Sequence, residues 1–196
     1  MNPIKYRVLV ISTLFLSLSC AQDPVPKPQA YLRLEFPEAS YQKLETNLPF
    51  TIERNLLATK IETKTIKGPT ESYGITIQYP NLKGSIYLTY KSIDNKKENL
   101  IAFLRDAQKF TQEHTKKADE IVEQPYENNK RRVYGMLYEV GGNAASQSQF
   151  YVTDSINHFL TGSLYFYAKP NYDSIYPAAK YLEKDIKHIM ETVSWK

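Results

Sequence analysis

Three runs of the sequence decide the fold: Arg132-Val-Tyr-Gly-Met-Leu-Tyr-Glu-Val140, Gln147-Ser-Gln-Phe-Tyr-Val-Thr153 and Phe159-Leu-Thr-Gly-Ser-Leu-Tyr-Phe-Tyr-Ala168. In Gln149 to Val152 and again in Leu164 to Tyr167 the polarity alternates, which is the period of a strand with two unlike faces. Gly141, Gly142 and Asn143 divide the first two runs and supply the permissive backbone of a hairpin. Between the second and third, Asp154, Ser155 and Asn157 carry the short polar side chains that bond their own backbone in turns. Three strands in an antiparallel meander are predicted.

Working outward, Tyr73–Tyr79 and Ser85–Lys91 alternate in the same way, with Pro80, Asn81 and Gly84 marking a turn between them. Weaker strand signals lie at Tyr31–Phe36, Pro49–Glu53, Leu57–Ile66 and Glu120–Pro125, whereas Tyr41–Asn47 reads as polar loop. Two helices are predicted. Asn95 with Glu98 three residues on reads as a capping-box variant opening a helix over about 96–118, with Leu100, Phe103, Leu104, Ala107, Thr111 and Ala118 at helical spacing. The second starts near Asp173, holds Pro177 in its first turns and repeats Ile175, Ala179, Leu182, Ile186, Ile189 and Val193. Strands in runs, with helices that do not alternate with single strands, imply an α+β fold whose mainly antiparallel sheet carries both helices.

A hydrophobic fraction of 42% in 196 residues suffices for one core. Residues 1–19 read as a signal peptide: Lys5 and Arg7 precede an apolar run, Val8 to Leu18, too short to cross roughly 30 Å of hydrocarbon. Without those two charges the formal excess of +4 becomes 23 basic against 21 acidic residues, or +2, which is no footprint for nucleic acid. Cys20, the only cysteine, cannot form an internal disulfide. Ser17-Leu-Ser-Cys20 resembles a bacterial lipobox, which implies that Cys20 is acylated, with palmitate among the chains, and anchors the protein to a membrane. Leu18 stands two positions before the cysteine, where the usual pattern has leucine three before. Pro24, Pro26 and Pro28 stiffen residues 20–30 into a tether, leaving 31–196 as the folded domain.

The expected sheet has an apolar face, with Ile75, Ile77, Ile86, Leu88, Phe150, Val152, Leu164 and Phe166, and an opposite face of Tyr, Thr and Gln. Tyr87, Gln149, Tyr151, Tyr165 and Tyr167 on that second face form the candidate binding surface. Cross-strand Tyr/Thr pairing alone, or cover by the protein's own helix, would also account for it. Catalytic and metal signals are weak. His114, His158 and His188 show no compact ligand spacing; Ser146, Ser148, Asp154 and His158 lack a nucleophile elbow and suit turns; no P-loop or dinucleotide fingerprint occurs. Neither an enzyme nor a cofactor is expected. The basic run Lys130 to Arg132, near Lys116 and Lys117, offers a surface that could meet phosphate head groups, or simply charged turns.

The segments Arg105 to His114, Val133 to Val140, Gly142 to Asp154 and His158 to Asp173, with Pro26-Lys-Pro28 and Tyr31-Leu-Arg-Leu-Glu-Phe-Pro37, resemble the gliding motility lipoprotein GldD family. The likeness covers nearly the whole mature chain. It implies a cell-envelope lipoprotein required for gliding, linked to type IX secretion and acting through other envelope proteins, and it implies no catalytic residue. The order of elements is also similar to the Mog1/PsbP-type α/β/α sandwich, a likeness of fold alone. The alternative reading is a periplasmic ligand-binding protein or enzyme with a pocket between sheet and helix.

Overall fold

The computed structural model describes residues 36–114, 118–167 and 172–196, all within one compact unit. Eleven strands and two long helices are formed among them: β1 Tyr41–Lys43, β2 Phe50–Thr51, β3 Glu53–Asn55, β4 Lys60–Thr65, β5 Ser72–Tyr79, β6 Gly84–Ser92, α1 Lys97–His114, β7 Ala118–Asn128, β8 Val133–Gly142, β9 Ser148–Thr153, β10 His158–Phe166, α2 Tyr172–Thr192 and β11 Ser194–Trp195. Seven of the strands make one sheet in the order β4-β5-β6-β10-β9-β8-β7, and every pairing is antiparallel. Two meanders, β4 to β6 and β7 to β10, are thus joined along the β6–β10 seam. The predicted α+β class is the one formed.

The register sorts the two faces as the alternation requires. Ile75 lies opposite Leu88 and Ile77 opposite Ile86, Ile86 opposite Leu164, and Val152 opposite Leu160. This apolar face packs against α2, whose Leu182, Ile186 and Ile189 are fully buried. Burying each such side chain contributes about 1.5–3 kcal/mol. On the other face Thr76 opposes Tyr87, and Thr161 lies between Thr89 and Tyr151. There a smaller cluster, Ile93, Phe103 and Phe159 with Leu100, Leu104 and Ala107, docks α1. The helices therefore sit on opposite faces.

Several boundaries differ from the sequence reading. Tyr41–Lys43, expected as loop, forms a strand because it pairs with Glu53–Asn55. Of the expected strand 31–36 only Phe36 is described, and it is not in a strand. Asn95 does not cap α1: its φ is 54°, following Asp94 at 56°, outside the extended backbone that a capping residue adopts. The Lys96 carbonyl accepts from the Asn99 and Leu100 amides instead, so α1 starts one turn position later. At its other end Ala118 belongs to β7, captured by pairing with Gly142. In the 80–84 turn, one 3₁₀ turn over Pro80–Leu82 ends on Lys83 at φ 50°. Gly84 serves a different need there, since a Cβ would stand 2.8 Å from the Leu182 side chain.

The Asp154 turn is built as expected. One carboxylate oxygen accepts from the amides of Ile156, Asn157 and His158 at 2.8–2.9 Å, with Ser155 at φ 66°. Arg131 of the basic run donates to the carbonyls of Glu191 and Val193, satisfying the C-terminal end of α2. The Arg132 carbonyl accepts from the Trp195 indole. The Arg131 side chain and the Arg132 carbonyl thus help to hold residues 191–195 in place.

Candidate functional site

The candidate surface residues come from three neighbouring strands. Tyr87 is on β6, Gln149 and Tyr151 on β9, and Tyr165 on β10, with Tyr167 just past its end. α1 divides them. It crosses over Gln149 and Tyr151 and leaves Tyr87 and Tyr167 at the surface, 38% and 60% exposed. Under the helix Tyr151 stacks on Phe159 with ring planes 8° apart, and Phe103 of α1 rests on the same Phe159. At the open end Tyr87 meets Tyr165 edge-on. Its hydroxyl lies 3.4 Å from that of Tyr167, which is in turn 2.5 Å from Ser85 Oγ.

Between helix and sheet lies a cavity of about 370 Å³. Tyr87, Gln149, Tyr151 and Tyr165 line its floor, whereas Tyr167 does not. Its roof is Phe103, Asp106, Ala107, Phe110 and Thr111. Sequence reasoning placed Phe103, Ala107 and Thr111 on one helical stripe but did not aim that stripe at the tyrosine face, because periodicity names a face and not its partner. Lys91, also at the cavity, lies 3.5 Å from Asp106 and 4.7 Å above the Phe103 ring. Burial pushes the phenols of Tyr138 and Tyr165 up to about 12, so these hydroxyls stay protonated at neutral pH.

The other residues weighed as chemistry sit elsewhere. Ser146 Oγ donates to the Ser148 carbonyl, Asp154 is taken up by its turn, and His158 Nδ1 is 2.8 Å from the Tyr90 hydroxyl while its ring stacks on Trp195. Burial holds His158 below its ordinary pKa, opposed by the charge of Asp154. His188 stacks on Tyr41 and pairs with Glu53 at 2.8 Å. Among the described residues no group of three or more His, Cys, Asp or Glu could hold a metal ion. Cys20 lies outside the described residues.

One buried polar cluster went unread. Asp185, 1% exposed, accepts from Tyr41 Oη at 2.8 Å and from Asn55 Nδ2 at 2.9 Å. Asn55 Nδ2 also reaches Tyr181, and the Tyr79 hydroxyl faces the same carboxylate without completing a hydrogen bond to it. The signal was available: Asp185 falls three residues after Leu182 and four before Ile189, inside the apolar stripe.

No helix among the described residues is long and apolar enough to cross a membrane. No curated protein and no solved structure matches the chain. The family model of the gliding motility lipoprotein GldD matches residues 21–195, all but residues 1–20 and Lys196, and the chain belongs to that family.

Proposed function

We propose that this lipoprotein acts without catalysis, as an envelope component required for gliding that assists type IX secretion by binding other envelope proteins. The contact surface in this reading is the part of the tyrosine face that α1 leaves open, around Tyr87 and Tyr167. The observation that carries it is the exposure of these two rings, 38% and 60%, on the central strand β6 and at the end of its neighbour β10, held rigid by cross-strand pairs. Aromatic side chains with a polar tip are the type enriched at protein interfaces and among their energetic anchors. Lipidation at Cys20 holds the domain at the membrane, facing the periplasm, with the proline-rich segment as spacer. Two or more acyl chains make such an anchor stable where one is marginal.

The double replacement Tyr87→Ala with Tyr167→Ala tests the surface. Gliding and the crosslinked complexes recovered from envelopes should be lost, while circular dichroism and yield stay near wild type. A folded double variant that glides and recovers every partner refutes the reading. For the anchor, Cys20→Ala should move the protein out of the membrane fraction; unchanged mobility and membrane association would exclude lipidation there.

A further inference from the structure

We infer that the cavity between α1 and the sheet is a binding site for an uncharged small molecule with an aromatic or short aliphatic body and one hydroxyl group, which Gln149 holds. The volume, about 370 Å³, falls at the lower end of the roughly 300–1,000 Å³ of small-molecule sites. Its walls are preformed: Tyr151 stacks on Phe159, and Phe103 packs against the same Phe159 with its ring tilted by 51°. Planar rings on both roof and floor suit a flat or slender apolar body.

Gln149 supplies the polar anchor. It lines the cavity, is 3% exposed, and its amide nitrogen has no hydrogen-bond partner. Its oxygen is 3.2 Å from Thr111 Oγ1, which is also 3.1 Å from the Ala107 carbonyl. Thr111 has a single proton to share between these two acceptors. Turning the Gln149 amide over would let its nitrogen donate to Thr111, but would leave the oxygen unpaired in place of the nitrogen. A buried amide end without a partner is costly in either orientation. A hydroxyl both donates and accepts, so it completes the amide whichever way the amide is turned.

The absence of charge follows from the Lys91–Asp106 pair. The two side chains lie 3.5 Å apart at the cavity, and the ammonium also sits over the Phe103 ring, so each charge is compensated before a ligand arrives. An ionised ligand would lose its hydration without finding an unpaired counter-charge.

The site goes beyond the partner surface proposed above; the two share Tyr87, but Gln149 and Ala107 belong to the cavity alone, so substitutions there test it separately. The test uses the full lipidated chain in nanodiscs, with empty nanodiscs subtracted, and three probes: 4-ethylphenol, ethylbenzene and 4-ethylbenzoate. The expected result is a saturable shift of the Gln149 side-chain amide resonance with 4-ethylphenol. Ethylbenzene should bind about tenfold more weakly for want of the hydroxyl, and 4-ethylbenzoate should not bind. Ala107→Trp, which fills the cavity from the roof, should abolish the shift. Gln149→Leu, read by the Tyr151 ring resonances, should bring the affinity for 4-ethylphenol down to that for ethylbenzene, and serves if the tryptophan variant does not fold. Lack of a saturable shift with all three probes overturns the inference. So does a shift that survives in folded Ala107→Trp, an undiminished affinity for 4-ethylphenol in folded Gln149→Leu, tightest binding by the carboxylate, or a Gln149 amide that responds only to a partner protein.

Discussion

Asn55 Nδ2 lies 2.9 Å from the Asp185 carboxylate, a bond across 130 residues of sequence that ties β3 to the middle of α2. Tyr41, on the strand paired with β3, donates to the other oxygen of the same carboxylate. The short strands β1 and β3 are thereby fixed onto α2. Asp185→Ala should therefore leave Asn55 Nδ2 only its bond to Tyr181, take the acceptor from the half-buried Tyr41 hydroxyl, and destabilise by about 1–3 kcal/mol. Urea midpoints check this, and values matching wild type would show that the bonds contribute nothing net.

The same carboxylate has a pH signature. Burial raises the Asp185 pKa above its usual 3.8, outweighing the hydrogen bonds from Tyr41 and Asn55 that lower it. Between 3.8 and that raised value the folded protein binds more protons than the unfolded chain, so stability falls as pH rises through the window. Unfolding midpoints measured across it should decline in the wild type relative to Asp185→Asn. Parallel curves would contradict this.

His158 gives the opposite slope higher up. Burial lowers its pKa from 6.5, so between the lowered value and 6.5 the unfolded chain binds the extra proton and stability is lost as pH falls. The imidazole titration followed by NMR should have its midpoint below 6.5. His158→Gln should remove the corresponding slope from the stability curve.

Leu182→Ala and Ile186→Ala should each cost about 2–5 kcal/mol, because both side chains are fully buried between α2 and the sheet. Chemical denaturation measures the loss. Changes under the lower figure would mean that the helix does not seal the core.

Two glycines separate side-chain crowding from backbone crowding. A Cβ at Gly162 would intrude on the Phe150 ring, whereas one at Gly135 would meet the Tyr151 backbone carbonyl across the strand pair. Gly162→Ala should cost about 1–3 kcal/mol as overpacking and recover when combined with Phe150→Leu. Gly135→Ala has no side chain to trim, and should stay destabilised in any such combination. Recovery of both, scored by thermal midpoints, would remove the distinction.

What the sequence determined by itself was local and periodic. The alternation in Gln149–Val152 and Leu164–Tyr167 assigned strands and sorted their faces, the stripe from Leu182 to Ile189 made α2, and Asp154 marked its turn. The long block from Gly142 to Asp173 carried the family. Tertiary structure decided everything that depends on which face meets which. Asn95 looked like a cap, but the left-handed pair Asp94 and Asn95 turns the chain before α1 begins. Ala118 kept the helical spacing, yet pairing with Gly142 draws it into β7. The stripe of Phe103, Ala107 and Thr111 could have packed on either side of the sheet; docking over Phe159 and Tyr151 is what encloses Gln149 and leaves Tyr167 outside. The place of Asp185 inside the apolar stripe marks it as buried, but its partners Tyr41 and Asn55 come from segments 144 and 130 residues away. Strand and helix periods are set by backbone geometry over a few residues, and so can be read along the chain. Cavities and buried polar pairs arise from the contact of distant segments, which only the folded chain brings together.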